Sequence, residues 1–275
     1  MPEGDTIFRT AATLHRALAG KAVTRFETVL AKLARVDDDT PVVGRTIERV
    51  IAVGKHLLIE LSGDLWLRTH MRMSGSWHIY RPGERWQKRR ADMRVVIVTR
   101  DFEAVAFNVP IAEFRTSRDL DRDPELRELG PDLLGAAFDA AEAVRLARQH
   151  SDCEIADLLL NQHIAAGIGN VYKSEVLFVS GIDPFRMAST ISDPDLSTVF
   201  ERARKLLLLN VRDTRGSNRK TTGSANPSHR LWVYGRGGEP CRKCGTAIEA
   251  RKQGPDARVT FWCARCQRTP ATLIQ

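Results

Sequence analysis

The sequence predicts an α+β chain of more than one domain: a sheet-rich first part led by a helix, then a helical part, then a small four-cysteine hairpin. Three observations carry this. The 275 residues amount to about two domains at roughly 150 residues each. Short β-rich runs fill residues 42–108, whereas helical periodicity takes over after 131. Four of the five cysteines fall as C-x2-C-x18-C-x2-C near the C-terminal end.

Residues 5–19 read as the leading helix, because Ile7, Ala11, Leu14 and Leu18 recur at spacings of three and four, with Asp5 as its cap and Gly20 closing its end. The runs TIERVIAV, KHLLIEL, LWLRTH, MRVVIVT and EAVAF then read as strands. Asp119–Glu128, charged and carrying Pro124, reads as a boundary. Helices are predicted over 131–149, 155–161, 171–179 and 194–209, with AAGIGN (165–170) as a glycine-bearing turn between two of them. That pairing suits a helix-turn-helix-like nucleic-acid module and equally an inert helical domain. The segment 211–230 has five Arg or Lys against one Asp and few aliphatics, so it reads as a flexible basic loop that does not pack.

Cys241, Cys244, Cys263 and Cys266 have the spacing of two knuckles that close on one tetrahedral metal. Four protein ligands fill the coordination sphere, so the expected cofactor is one structural Zn2+ per chain, with no open position for chemistry. Cys153 stands apart and reads as a small buried apolar residue. Lys plus Arg minus Asp plus Glu is 42 − 34 = +8, a bias that suits a phosphate-bearing partner. Apolar runs reach four residues, as at Leu206–Leu209, far below the roughly 18 of a membrane span, and MPEGDTIFRT lacks the order of a secretory signal. The expectation is therefore a cytoplasmic protein with no membrane partner.

Proline at position 2 invites removal of Met1, which leaves a secondary amine free to attack an electrophilic carbon and collapse to an iminium. The positive end of the following helix lowers its pKa below the usual value of about 7.7–8.0 for an α-amino group. Glu3, next in the chain, is placed to shuttle protons; read alone it is an ordinary first-turn carboxylate.

MPEG at the start, Gly54-Lys55 at the head of a strand, HMRMSGSW (70–77), LLLNQHIAAGIGNVYKSEVLFVSGIDP (158–184), LWVYGRGGEPCRKCG (231–245) and RVTFWCARCQ (258–267) together resemble the formamidopyrimidine-DNA glycosylase and endonuclease VIII family, in order along the chain. The resemblance implies an N-terminal β-sandwich with a leading helix over 1–120, a helix-two-turn-helix domain over 128–230 and a zinc-finger β-hairpin over 231–275. It implies a bifunctional base-excision-repair enzyme acting on damaged DNA, in which the mature N-terminal proline attacks C1′ of the damaged nucleotide and the iminium undergoes β,δ-elimination. Pro2 then matches the nucleophile, Glu3 the acid, and Lys55 a strand-borne phosphate contact. Asn170 matches a phosphate-gripping asparagine, which can also be a helix cap, and Arg258 the hairpin arginine that binds phosphates flanking the lesion. Met73 falls where members place a methionine that fills the gap left by the extruded base; a core role is the alternative.

The departures bear on substrate. AFNVPIAEF (106–114) lacks the Arg-Phe pair that formamidopyrimidine-type members use to read the opposite cytosine, the loop at 217–228 is short, and MPEGDT replaces MPELPE. These point to the endonuclease VIII side, with oxidised pyrimidines as substrates in duplex, bubble or single-stranded DNA. Two other readings stay open: a non-catalytic damaged-DNA-binding zinc protein, which would have no need of Pro2, Glu3 and Lys55, and an abasic lyase with little glycosylase activity.

Overall fold

The computed structural model describes residues 2–212 and 219–268; the removal of Met1, and the part of the basic segment from 213 to 218, lie outside them. The chain divides into two compact units, one ending at Glu128 and the next beginning at Leu129, each with its own core.

The first unit opens with α1 (Gly4–Leu18), whose Ile7, Ala11, Leu14 and Leu18 are all buried. Asp5 does not cap it. The boundary residue is Glu3, whose extended backbone (φ −128°, ψ −176°) sets its carbonyl to accept from Thr6 and Ile7 N–H at 2.9 and 3.1 Å, and Asp5 lies buried inside the first turn. There follow β1 (Arg25–Thr28), α2 (Ala31–Asp39), β2 (Ile47–Val53), β3 (His56–Leu61), β4 (Leu65–His70), β5 (Ser76–Tyr80), β6 (Met93–Val98), β7 (Glu103–Phe107) and β8 (Ile111–Arg115). They form two antiparallel sheets, ordered β1-β6-β7-β5 and β2-β3-β4-β8, and α1 joins both sheets in one core, giving the β-sandwich with a leading helix.

Strand alternation explains the continuous apolar runs of β6 and β7. Val95, Ile97, Ala104 and Ala106 enter the shared core, while Val96, Val105 and Phe107 turn to a smaller cluster with Tyr80 and Met93, closed by Trp86. With both faces covered, polar positions drop out. β1, β5, β8 and α2 carry little periodic signal in the sequence because they are short or half polar. The charged boundary segment is folded: α3 (Ser117–Arg122) starts from a Thr116–Asp119 capping box, and α4 (Pro124–Arg127) places its proline in the first turn behind the capping Asp123.

The second unit carries α5 (Ala140–Gln149), α6 (Ile155–Leu160), α7 (Asn170–Ser180) and α8 (Asp193–Arg212), then the hairpin β9 (Glu249–Gln253) and β10 (Arg258–Trp262). Only the second half of the predicted 131–149 helix forms. Asp139 accepts from Ala141 N–H at 2.8 Å and starts it there, while Asp132 pairs with Ala166 instead. Between α6 and α7 the Gln162 amide donates to the Leu160 and Ile168 carbonyls at 2.8 and 3.0 Å and accepts from Gly167 N–H at 3.1 Å, which locks the two turns and completes the helix-two-turn-helix. Gly130 backs onto this turn so closely that a Cβ would come within 2.4 Å of the Ile164 carbonyl oxygen.

The cysteine hairpin shares a buried cluster with Phe178 of α7 and belongs to this same unit. The expectation that 211–230 does not pack is corrected at 211–212 and 220–222, whereas 225–229 are exposed as expected. Residues 211 and 212 end α8, Lys220 N–H donates to Asn210 Oδ1 at 2.7 Å, and Thr221 and Thr222 are buried because their hydroxyls find Glu175 and the His229 carbonyl. Among the described residues no helix is long and apolar enough to cross a membrane.

Candidate active site and metal centre

In the first unit, Pro2 is half-buried and Glu3, beside it, has 0% exposure at the head of α1. The α1 helix packs on β2, β3 and β5 and is tied to β2 by Val50 N–H donating to His15 Nδ1 at 3.1 Å. Lys55 occupies the two-residue turn between β2 and β3. Val53 faces His56 across that hairpin, and Gly54 at φ +56° supplies the left-handed backbone the tight turn requires. Met73 is not core: it is 64% exposed on the turn between β4 and β5, while its neighbour Met71 is the buried methionine. Arg72 holds a left-handed φ of +48° in this turn, and a Cβ on Gly75 would come within 2.5 Å of the Met71 carbonyl oxygen.

Sequence reasoning missed what lies around Lys55. Arg68, buried on β4, forms ion pairs with Asp123 and Glu125 and donates from Nε to His56 Nδ1 at 3.3 Å. His56 and His70 meet edge to face at 4.9 Å. Burial, then the neighbouring imidazole and the charges of Arg68, Arg72 and Lys55, lowers the pKa of His56 to about 3. Burial, then Arg72 and Lys55, lowers that of His70 to about 4. Both rings are therefore neutral at physiological pH, and His70 Nδ1 is free to accept the Arg72 N–H at 3.0 Å that sets the Met73 turn. The signal is present in the sequence as histidines beside GK and at the end of LRTH, but nothing local distinguishes them from surface residues.

In the second unit, Asn170 is the first residue of α7 and does not cap it; Gly169 precedes the helix without a side-chain cap. Its Nδ2 donates 2.9 Å to the carbonyl of Val259, and its Oδ1 is a buried acceptor with no partner among the described residues. Arg258, next to Val259, opens β10 with its Nε 3.2 Å from Asp256 Oδ2, an exposed pairing of small energetic weight. Asn170 is thus hydrogen-bonded to the residue next to Arg258, both in one unit, whereas Pro2, Glu3, Lys55 and Met73 lie in the other.

The four hairpin thiols converge, with all Sγ atoms within 4.8 Å of one another and Cys241–Cys266 and Cys244–Cys263 at 3.9 and 3.5 Å. Zinc–thiolate bonds of about 2.3 Å set sulfur–sulfur edges of about 3.8 Å in a tetrahedron, so the thiols fit one Zn2+. The set holds a single structural zinc. Gln267 supports it by accepting Cys263 N–H at 2.9 Å and donating to the Ile182 carbonyl at 2.9 Å. Cys153 is half-buried against the helical core, well apart from the metal ligands in the chain.

Three family profiles match in order along the chain: the formamidopyrimidine-DNA glycosylase N-terminal domain over 1–110, the formamidopyrimidine-DNA glycosylase H2TH domain over 129–221, and the zinc finger found in FPG and IleRS over 238–269. The probable endonuclease 8 2 of Streptomyces coelicolor is 38% identical over 98% of this chain and 95% of its own length. The DNA-(apurinic or apyrimidinic site) lyase Nei2 of Mycolicibacterium smegmatis is 39% identical over 97% of this chain and 99% of its own. Among solved structures, the Lactococcus lactis Fpg in complex with an abasic site containing DNA superposes with a TM-score of 0.83, covering 98% of this chain and 100% of that one at 21% identity, a likeness of fold.

Proposed function

The chain belongs to the formamidopyrimidine-DNA glycosylase and endonuclease VIII family and is a bifunctional DNA glycosylase and abasic-site lyase of base-excision repair; from that premise we propose that it removes oxidised pyrimidines from DNA through a Schiff base on Pro2. The observation that carries the reading is a fully shielded carboxylate, Glu3, adjoining a half-buried Pro2 at the positive end of α1.

With Met1 gone, the Pro2 nitrogen lone pair attacks C1′ of the deoxyribose. The N-glycosidic bond breaks, the base departs with a proton, and Glu3 assists opening of the sugar ring. The iminium then acidifies the neighbouring sugar carbon, and loss of protons expels the 3′ and then the 5′ phosphate. Water releases Pro2 from the remaining fragment. Lys55, Asn170 and Arg258 hold phosphates, and Met73 offers an exposed apolar side chain to the stack vacated by the base. A preference for pyrimidines is supported by the short β7–β8 connection at residues 108–110 and the burial of Phe114, which leave no Arg-Phe reader there. The enzyme works as a monomer on chromosomal DNA, single-stranded or bubble substrates included.

The test is borohydride trapping on abasic and oxidised-base DNA in single-strand, bubble and duplex form. A covalent complex is expected, lost in Pro2→Gly and when extra residues precede Pro2. No trapped species on any substrate, or a crosslink mapped to another side chain, overturns the mechanism. The second reading, a lyase with little glycosylase activity, is favoured by the name borne by the mycolicibacterial relative. It predicts cutting of abasic DNA but not of DNA carrying an oxidised pyrimidine.

A further inference from the structure

A lysine in the first turn of α7 is wholly shielded from solvent, which an ammonium tolerates only with polar compensation. Lys173 has 0% exposure, and its Nζ donates to Thr260 Oγ1 at 2.7 Å. Thr260, equally buried on β10, donates its hydroxyl to Gln253 Oε1 at 2.6 Å. The Gln253 amide in turn reaches Glu154 Oε2 at 2.6 Å and the Pro184 carbonyl at 3.0 Å. Asp157 completes the charge environment: burial and Glu154 raise its carboxyl pKa, and Lys173 pulls it down. The β9–β10 turn presses on that carboxyl, since a Cβ on Gly254 would fall 2.2 Å from Asp157 Oδ1.

This chain of side chains passes through Gln253, which faces Arg258 across the hairpin. Val259, the residue after Arg258, gives its carbonyl to Asn170 Nδ2. The metal sits at the opposite end of the strand. Cys263 lies five residues on, about 16 Å along an extended strand at 3.3 Å per residue, so the zinc by itself does not fix how the Arg258 end of the twisted hairpin lies against α7.

We propose that Lys173 and Thr260 are positioning residues that fix where the hairpin presents the Arg258 guanidinium. The proposal rests on the reading of Arg258 as a phosphate-binding group. Neither residue touches DNA in that reading; each acts through the backbone that carries Arg258.

The experiment uses the full chain with its zinc, and compares Lys173→Met, Thr260→Val, Thr260→Ser, Arg258→Ala and the double variant Thr260→Val/Arg258→Ala. Zinc per chain, affinity for duplex containing a tetrahydrofuran abasic analogue as a function of salt, and amide exchange of β10 are measured. Thr260→Val and Lys173→Met should keep one zinc yet bind roughly tenfold more weakly, with the salt slope reduced by about one unit as in Arg258→Ala. Thr260→Ser, which keeps the hydroxyl, should bind within about twofold of wild type, and the double variant no more weakly than Arg258→Ala.

Wild-type affinity and slope in Thr260→Val, or additive losses in the double variant, overturn the proposal. If Lys173→Met does not fold, the two Thr260 variants decide. If Arg258→Ala has no effect, the phosphate reading fails instead. Exchange then decides: faster exchange at residues 258–260 in Thr260→Val upholds the positioning role, and unchanged exchange ends it.

Discussion

Two imidazoles lie beside Lys55 and stay uncharged, and this has a consequence for acid stability. Unfolded, His56 and His70 take up protons near pH 6.5; folded, they do so only near about 3 and 4. Between these values the unfolded chain binds more protons, so the folded state is fully favoured above 6.5 and loses stability as pH falls toward 4. The loss is about 1.4 kcal/mol per pH unit for each proton. Urea unfolding between about pH 7 and pH 5 should therefore give a steeper decline for wild type than for His56→Asn/His70→Asn, and equal slopes would refute the account. The same neutrality matters to the site. A protonated His70 has no lone pair for the Arg72 N–H, so the strained turn that exposes Met73 depends on the ring staying neutral.

At the scale of elements, α7 shows how far local pattern reaches. The segment around 171–179 reads as a helix from its local pattern; in the fold every residue from Asn170 to Phe178 is buried, Lys173 and Glu175 included. Glu175 accepts from Thr221 Oγ1 and from three successive N–H groups, Trp232, Val233 and Tyr234, each at 2.8 Å. Those donors lie 46 to 59 residues away, a pairing no window of sequence contains. Glu175→Ala leaves three successive backbone N–H donors without an acceptor, while the Thr221 hydroxyl keeps the Arg230 carbonyl at 3.4 Å, and should cost about 3 kcal/mol or more. Glu175→Gln, with one acceptor oxygen instead of two, should lose less. Chemical denaturation reads both, and a loss below about 1 kcal/mol in Glu175→Ala would mean water replaces the carboxylate at little cost. What the sequence made legible was local: the spacing in α1, the apolar runs of β6 and β7, and the cysteine knuckles. Asn170 could be placed at a helix start from the AAGIGN break, but its bond to Val259 crosses 89 residues and could not. Pro2 and Lys55 stand out through the resemblance of short motifs, since no periodicity marks a terminal amine or a turn lysine. The helix over 131–149 is overextended in the sequence because Asp132 and Gly135 are tolerable in a helical pattern; the bridge from Asp132 to Ala166 and the turn in which Gly135 N–H donates to the Asp132 carbonyl remove them from it.

For the whole molecule, the separation of cores predicts what removing zinc will do. The sandwich core draws only on residues of the first unit, and the helical core runs from Leu133 to Leu207 without a metal ligand. The cluster around the metal is small, with Phe178, Val233, Ile248 and two of the cysteines buried together, and β9 is otherwise exposed up to Gln253. A hairpin of that size does not hold itself, whereas a structural zinc contributes on the order of 10 kcal/mol to folding of such modules. Chelation at neutral pH should therefore release one zinc and speed amide exchange through 238–267, with the strands of the sandwich and the interiors of α5 and α8 keeping their protection. DNA affinity should fall along with the exchange protection of β10, because the backbone that carries Arg258 melts with its support. The enzyme should also lose salt dependence, since fewer phosphates are neutralised. Simultaneous loss of protection in α1 and β7 would show instead that the metal stabilises the molecule as one cooperative body.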